Sequence, residues 1–104
     1  MNMEEAANAM DALGAPVRLE IYRLLIRAGE TGMTITRVQQ RTGMARSTLS
    51  HHLHRLIEGG LVSTEKSGAS LICRADYTAM DTLVGYLSDE CCLEEVTGQE
   101  EGVA

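Results

Sequence analysis

Along residues 46–57, R-S-T-L-S-H-H-L-H-R-L-I, the apolar positions Leu49, Leu53, Leu56 and Ile57 recur at i, i+4, i+7 and i+8, the spacing of a helix buried on one side. Val17, Ile21, Leu24 and Leu25 repeat that spacing, so the stretch after Gly14-Ala15-Pro16 is a second core helix, with Pro16 in its first turn. Between them Thr34 is placed to cap a short helix that turns Ile35 and Val38 inward and Arg37, Gln39, Gln40 and Arg41 outward. Residues 4–13 predict a first helix with Ala6, Met10 and Leu13 on one side. Its lack of large aliphatics favours close packing against another chain. Residues 61–66 and 69–75, around Ser67-Gly68, predict two strands of a hairpin. Residues 76–92 predict a last helix on which Met80, Leu83, Val84, Leu87 and Cys91 form one stripe, with Cys92 about 100° away. Residues 29–33 are expected to be a loop.

Two helices joined by a short turn containing Gly43, followed at once by a hairpin, make a winged helix-turn-helix. The expected fold is therefore mainly α with a β-hairpin wing. Gly59 and Gly60 end the 46–57 helix, as positive-φ residues of a C-terminal cap. Residues 1–92 form one domain, and the acidic, Gly-containing, aperiodic segment 93–104 is expected to be a frayed tail. A core of this size is small, and the stripe on the last helix is expected to join the first helix in a homodimer.

The net charge of -6 at first argues against a nucleic-acid partner. Its distribution reverses the argument. Residues 31–75 carry +4, residues 76–104 carry -8 without any Lys or Arg, and residues 1–30 carry -2. DNA responds to the field of the contacting face, and the middle of the chain is basic. No apolar run approaches the ~18 residues of a membrane span, and the N-terminus is acidic where a secretory signal is basic. The expectation is a cytoplasmic protein with no membrane partner. Three cysteines, an odd number with Cys91 and Cys92 adjacent, fit thiols better than a disulfide framework.

Opposite the apolar stripe of the 46–57 helix lie Ser47, Thr48, His51, His54 and Arg55, and no acid appears before Glu58. These side chains can meet phosphates and base edges without burying a carboxylate. The DNA-binding candidates are Arg46, Ser47, Thr48, Ser50, His51 and Arg55, with Lys66 near the wing tip. His51, His52 and His54 point in different directions on a helix and lack the i, i+4 spacing of a zinc pair. There is no Cys-His-Asx set and no Gly-rich phosphate loop, so no enzyme is expected.

The segments A-L-G-A-P-V-R-L-E-I (12–21), S-T-L-S-H-H-L-H-R-L (47–56), E-G-G-L-V (58–62) and the Cys-Cys that closes the last predicted helix resemble the ArsR/SmtB family of winged-helix repressors. The resemblance spans roughly residues 10–92. It implies a homodimer that binds an inverted-repeat operator in double-stranded DNA and releases it when a metal, metalloid or reactive sulfur species meets its thiols. It also implies base contacts by Arg46, Ser47 and His51. The stretch T-I-T-R-V (34–38), where many arsenic sensors of the family carry Cys-x-Cys, has no cysteine. A vicinal pair at the end of the last helix resembles another arsenic-responsive branch, whose third downstream cysteine is missing here.

Trivalent arsenic is soft and prefers thiolates to oxygen or imidazole donors. Arsenite has three exchangeable positions and is best met by three sulfurs, whereas a monomethylated As(III) needs two. A 17-residue helix spans roughly 25 Å, so Cys73 and Cys91 of one chain sit at its opposite ends and meet only across an antiparallel dimer. The expected effector is trivalent arsenic (arsenite or methylarsenite, with antimonite as a further candidate) on Cys73, Cys91 and Cys92, with no cofactor needed for DNA binding. The alternative is a redox or persulfide sensor using the same cysteines.

Overall fold

In the computed structural model, which describes residues 1–95, five helices pack with a small three-stranded antiparallel sheet. The elements are α1 (Met3–Ala12), α2 (Pro16–Ala28), β1 (Met33–Thr34), α3 (Ile35–Thr42), α4 (Arg46–Glu58), β2 (Val62–Ser67), β3 (Ser70–Ala75) and α5 (Tyr77–Ser88). The fold is the expected winged helix-turn-helix. Most of the segment expected to be a tail, residues 96–104, lies outside the described residues.

Helix α1 opens with a reciprocal cap: Asn2 Oδ1 accepts from the Glu5 amide at 2.8 Å and Glu5 Oε1 from the Asn2 amide at 2.9 Å. Its buried face is Ala6, Ala9 and Ala12, and Met10 is 47% exposed, which corrects the expected face of Ala6, Met10 and Leu13. The alanines are covered by α4 and α5 of the same chain, not by a second one. Small side chains let α1 lie against Gly59 at the end of α4. Gly59 itself has φ -77, and Gly60 alone takes the positive φ of 78.

Ile21, Tyr22, Leu24 and Leu25 of α2 meet Leu49, Leu53 and Leu56 of α4 in a common core with Ile35 and Val38 of α3. Arg18 caps α1 by donating from Nε to the Ala12 carbonyl at 2.6 Å, and the Tyr77 hydroxyl donates to the Ile26 carbonyl at 2.8 Å, tying α5 to the end of α2. The recognition helix is therefore buttressed along its whole buried side.

The sheet order is β1-β3-β2, antiparallel throughout. Ser67 pairs with Ser70, so the hairpin turn is Gly68-Ala69, one residue later than expected, with Gly68 at φ 62. Met33 and Thr34 pair with Cys73 and Ile72, which converts the end of the expected 29–33 loop into a strand. Two residues are too few to leave a periodic signature.

Helix α5 stops at Ser88, four residues short of the expected end. No basic residue occupies its last turn, and Asp89 and Glu90 follow at the end where the helix dipole opposes negative charge. Only Leu83 of the expected stripe is buried. Val84 and Leu87 are each 60% exposed, and Cys91 lies in the turns beyond the helix, so it does not extend the stripe.

Candidate nucleic-acid interface and thiol pair

The turn between α3 and α4 is held by side chains on both sides. Thr34 Oγ1 accepts from the Arg37 amide at 3.2 Å, and Gly43, at φ 74, returns its amide to the Gln39 carbonyl at 2.7 Å. Thr42 Oγ1 donates to the Val38 carbonyl at 2.8 Å and accepts from the Met44 amide at 3.3 Å. Gln39 spans the turn, donating from Nε2 to the Met44 carbonyl at 3.4 Å and accepting from Arg46 Nε at 2.7 Å. Arg46 Nη2 continues to Thr36 Oγ1 at 3.3 Å. The two helices are thus locked at a fixed angle by uncharged groups and one guanidinium.

Ser47, Thr48, Ser50, His51 and His54 form an exposed face of α4, as does Arg46 at its start. Ala45 in the N-cap position supplies no side-chain acceptor, which leaves the first amides of the helix for an external anion. Glu58, the first acid along this helix, receives His54 Nε2 at 3.2 Å. His52 is half-buried, its Nδ1 has no partner among the described residues, and burial followed by the nearby Arg18 and His51 charges lowers its pKa.

The cations separate into two groups. Arg55 turns away from the exposed face to Asn8 and the carboxylate of Asp11, joining α4 to α1. Arg74 is held by Glu65 and by the Glu30 carbonyl. Lys66, exposed near the end of β2, and Arg46 both line a groove of about 570 Å³ bounded also by Thr34, Thr36, Ser70 and Leu71. Arg37 and Arg41 are exposed on α3; the sequence marks them as outward-facing, yet the candidates drawn from it were confined to α4 and the wing.

The thiols are equally divided. Cys73 is fully buried on β3, opposite Met33 and Thr64, and burial pushes its pKa up. Cys91 and Cys92 are exposed, with their Sγ atoms 3.2 Å apart. The Cys91 amide donates to the Ser88 carbonyl at 2.9 Å, the Cys92 carbonyl accepts from the Glu95 amide at 3.1 Å, and Cys92 takes φ 66. The hydrogen bond with Cys91 pushes the Cys92 thiol pKa up. Beside the pair lies an open groove of about 370 Å³ lined by Met3, Tyr86, Leu87, Asp89, Glu90 and Cys91. Among the described residues no three His, Cys, Asp or Glu side chains gather as a metal-ligating group, so the three cysteines do not converge within one protomer. No described helix is long and apolar enough to cross a membrane.

A buttressed helix-turn-helix whose exposed face carries no acid before Glu58, followed by a wing, defines a DNA-binding protein. Residues 13–65 match the family model described as a helix-turn-helix domain. The chain is 35% identical over 86 residues to the HTH-type transcriptional regulator NmtR of Mycobacterium tuberculosis, covering 83% of this chain and 66% of that one. It is 30% identical over 91 residues to the biofilm growth-associated repressor of Xylella fastidiosa, covering 88% and 77%. Among solved structures it is similar to a homodimeric winged helix-turn-helix DNA-binding domain from Mycobacterium bovis, described as a possible ArsR-family regulator, with a TM-score of 0.66, 26% identity and coverage of 93% and 90%. The chain belongs to the winged helix-turn-helix transcriptional regulators of the ArsR/SmtB type. It is a DNA-binding regulator rather than an enzyme.

Proposed function

We propose that this protein is a homodimeric cytoplasmic repressor that leaves an inverted-repeat operator when a trivalent arsenical bridges Cys91 and Cys92. The observation that carries the reading is the exposed Sγ pair 3.2 Å apart. Two sulfurs so placed suit one soft centre. Because Cys73 is sealed in the core, two thiols are available instead of three, which favours methylarsenite over arsenite or antimonite. In that reaction each thiol gives up its proton, the arsenical gives up two hydroxides as water, and no oxidation occurs.

Exposed Met3, Met10, Val84 and Leu87 on α1 and α5 support a dimer through the first and last helices, as does the homodimeric M. bovis relative. The thiol pair follows directly on α5, so an arsenical bound there bears on the element that sets the distance between the two recognition helices. DNA with half-sites one helical turn apart reads that distance. Base contacts fall to Ser47, Thr48, Ser50 and His51.

Adjacent sulfurs are also an arrangement that an oxidant or persulfide can join. Operator binding followed by fluorescence anisotropy under reducing conditions, titrated with methylarsenite and with arsenite, separates the readings. Release by methylarsenite that is lost in Cys91→Ser and Cys92→Ser and kept in Cys73→Ala supports arsenical sensing. Release only by an oxidant or polysulfide overturns it.

A further inference from the structure

Arg46 is the residue whose geometry departs furthest from its expected role. A base-reading arginine presents its guanidinium to the major groove with both edges free for a bidentate pair. Arg46 instead folds back from the start of α4, giving Nε to Gln39 Oε1 at 2.7 Å and Nη2 to Thr36 Oγ1 at 3.3 Å. Its charge is turned towards the groove between α3, α4 and the wing, which Lys66 also lines. Thr36 and Ser70 add hydroxyls, and none of the lining residues is acidic.

We infer that Arg46 and Lys66 together clamp one phosphate of the DNA backbone in this groove, leaving sequence discrimination to Ser47, Thr48, Ser50 and His51. The inference deepens the DNA-binding assignment and rests on it. Two cations from different elements, one on the recognition helix and one on the wing, meet a phosphodiester from both sides. Arg74 is held by Glu65 and Arg55 by α1, so neither is free for that phosphate. The hydrogen bonds to Gln39 and Thr36 hold the guanidinium in place before DNA arrives, which lowers the entropy lost on contact. Gln39 is thereby a positioning residue: one amide sets both the interhelical turn and the clamp.

Phosphate and base contacts differ in salt dependence and in specificity. The test measures the affinity of wild type, Arg46→Ala, Arg46→Lys and Lys66→Ala for operator and for a scrambled duplex across a range of salt, with a thermal melt of each variant to establish folding. For Arg46→Ala the clamp predicts weakening by the same factor on both duplexes and a log–log salt slope shallower by about 0.9 per bound protomer. Lys66→Ala does the same without touching α4, and Arg46→Lys restores most of the slope. Loss of the operator-to-scrambled ratio in Arg46→Ala with the slope unchanged overturns the inference and makes Arg46 a base reader. If wild type binds neither duplex, the DNA-binding assignment itself fails.

Discussion

Gly59 and Ala12 approach so closely that a β-carbon on Gly59 would lie 2.6 Å from the Ala12 Cβ. Helix α1 is therefore seated on the end of α4 by the absence of a side chain. Asn8 Nδ2 fixes the seat by donating to the Glu58 carbonyl at 3.0 Å. Because Gly59 has an ordinary φ of -77, Gly59→Ala carries no backbone strain and its cost is the clash alone. Overpacking of this kind costs about 1–3 kcal/mol, and each kcal/mol lowers Tm by about 4–8 °C in a domain of this size. A thermal melt followed by circular dichroism checks it; an unchanged Tm would mean that α1 moves away freely.

The three thiols should react in two classes. Cys91 and Cys92 are open to solvent, whereas Cys73 is closed off in the sheet. Iodoacetamide on the reduced native protein should label two cysteines quickly and the third only after denaturant is added, as counted by mass spectrometry. Cys73→Ser should lower stability by about 1–3 kcal/mol, the penalty for burying a hydroxyl without a partner. Cys73→Ala should cost less. Rapid labelling of all three thiols would show that β3 opens readily.

The helices of the core were legible because burial on one side repeats at helical spacing, and Leu49, Leu53 and Leu56 needed no other context. What the pattern missed depends on partners distant in sequence. Met10 was assigned to the buried face of α1, but only knowledge of Gly59 reveals that three alanines pack there. Strand β1 exists because β3 offers it a partner. The helical wheel carried α5 on to Cys91, while Asp89 and Glu90 at the C-terminal end oppose continuation. Residue type marked the exposed polar face of α4, but not the direction of each cation. Arg55 is spent on Asp11, 44 positions away, and Arg46 on Gln39 and Thr36. The Cys91-Cys92 pair was legible at once, and the burial of Cys73 was not.

Tyr22 gives the protein an alkaline limit. Its hydroxyl is buried without a partner among the described residues, and burial, followed by the charges of Asp76, Tyr77 and Asp81, pushes its pKa from 10.0 up to about 12. A folded pKa above the unfolded value means that the native state holds the proton more tightly. The stability involved is fully present below pH 10.0 and is lost as pH rises towards 12. Tyr22→Phe should shift the alkaline unfolding midpoint upward and leave neutral-pH stability unchanged or slightly raised, since the lost hydroxyl has no bond to forfeit. Urea midpoints between pH 8 and 12 test this, and identical pH profiles for the two proteins would refute it.

Val84 and Leu87 provide a test of the proposed dimer that spares the fold. Each is 60% exposed, so replacing them with Asp removes little from the core. Val84→Asp/Leu87→Asp should leave the circular dichroism spectrum in place and shift the protein towards monomer in sedimentation. It should also weaken operator binding, since a single recognition helix lacks the second half-site. A variant that stays dimeric would move the interface elsewhere.

Release by a thiol-bound effector requires that the two ligands disfavour each other reciprocally. If methylarsenite at Cys91 and Cys92 lowers operator affinity by some factor, saturating operator must lower methylarsenite affinity by the same factor. A coupling of about 3 kcal/mol corresponds to roughly 150-fold in each direction. Titrating methylarsenite into the free dimer and into the dimer–operator complex measures one side of the cycle, and titrating operator into the free and arsenical-bound dimer measures the other. Equal factors establish a reversible linkage between the thiol pair and the operator site. A large loss of DNA binding with unaltered methylarsenite affinity breaks the cycle and points to irreversible damage of the protein by the arsenical.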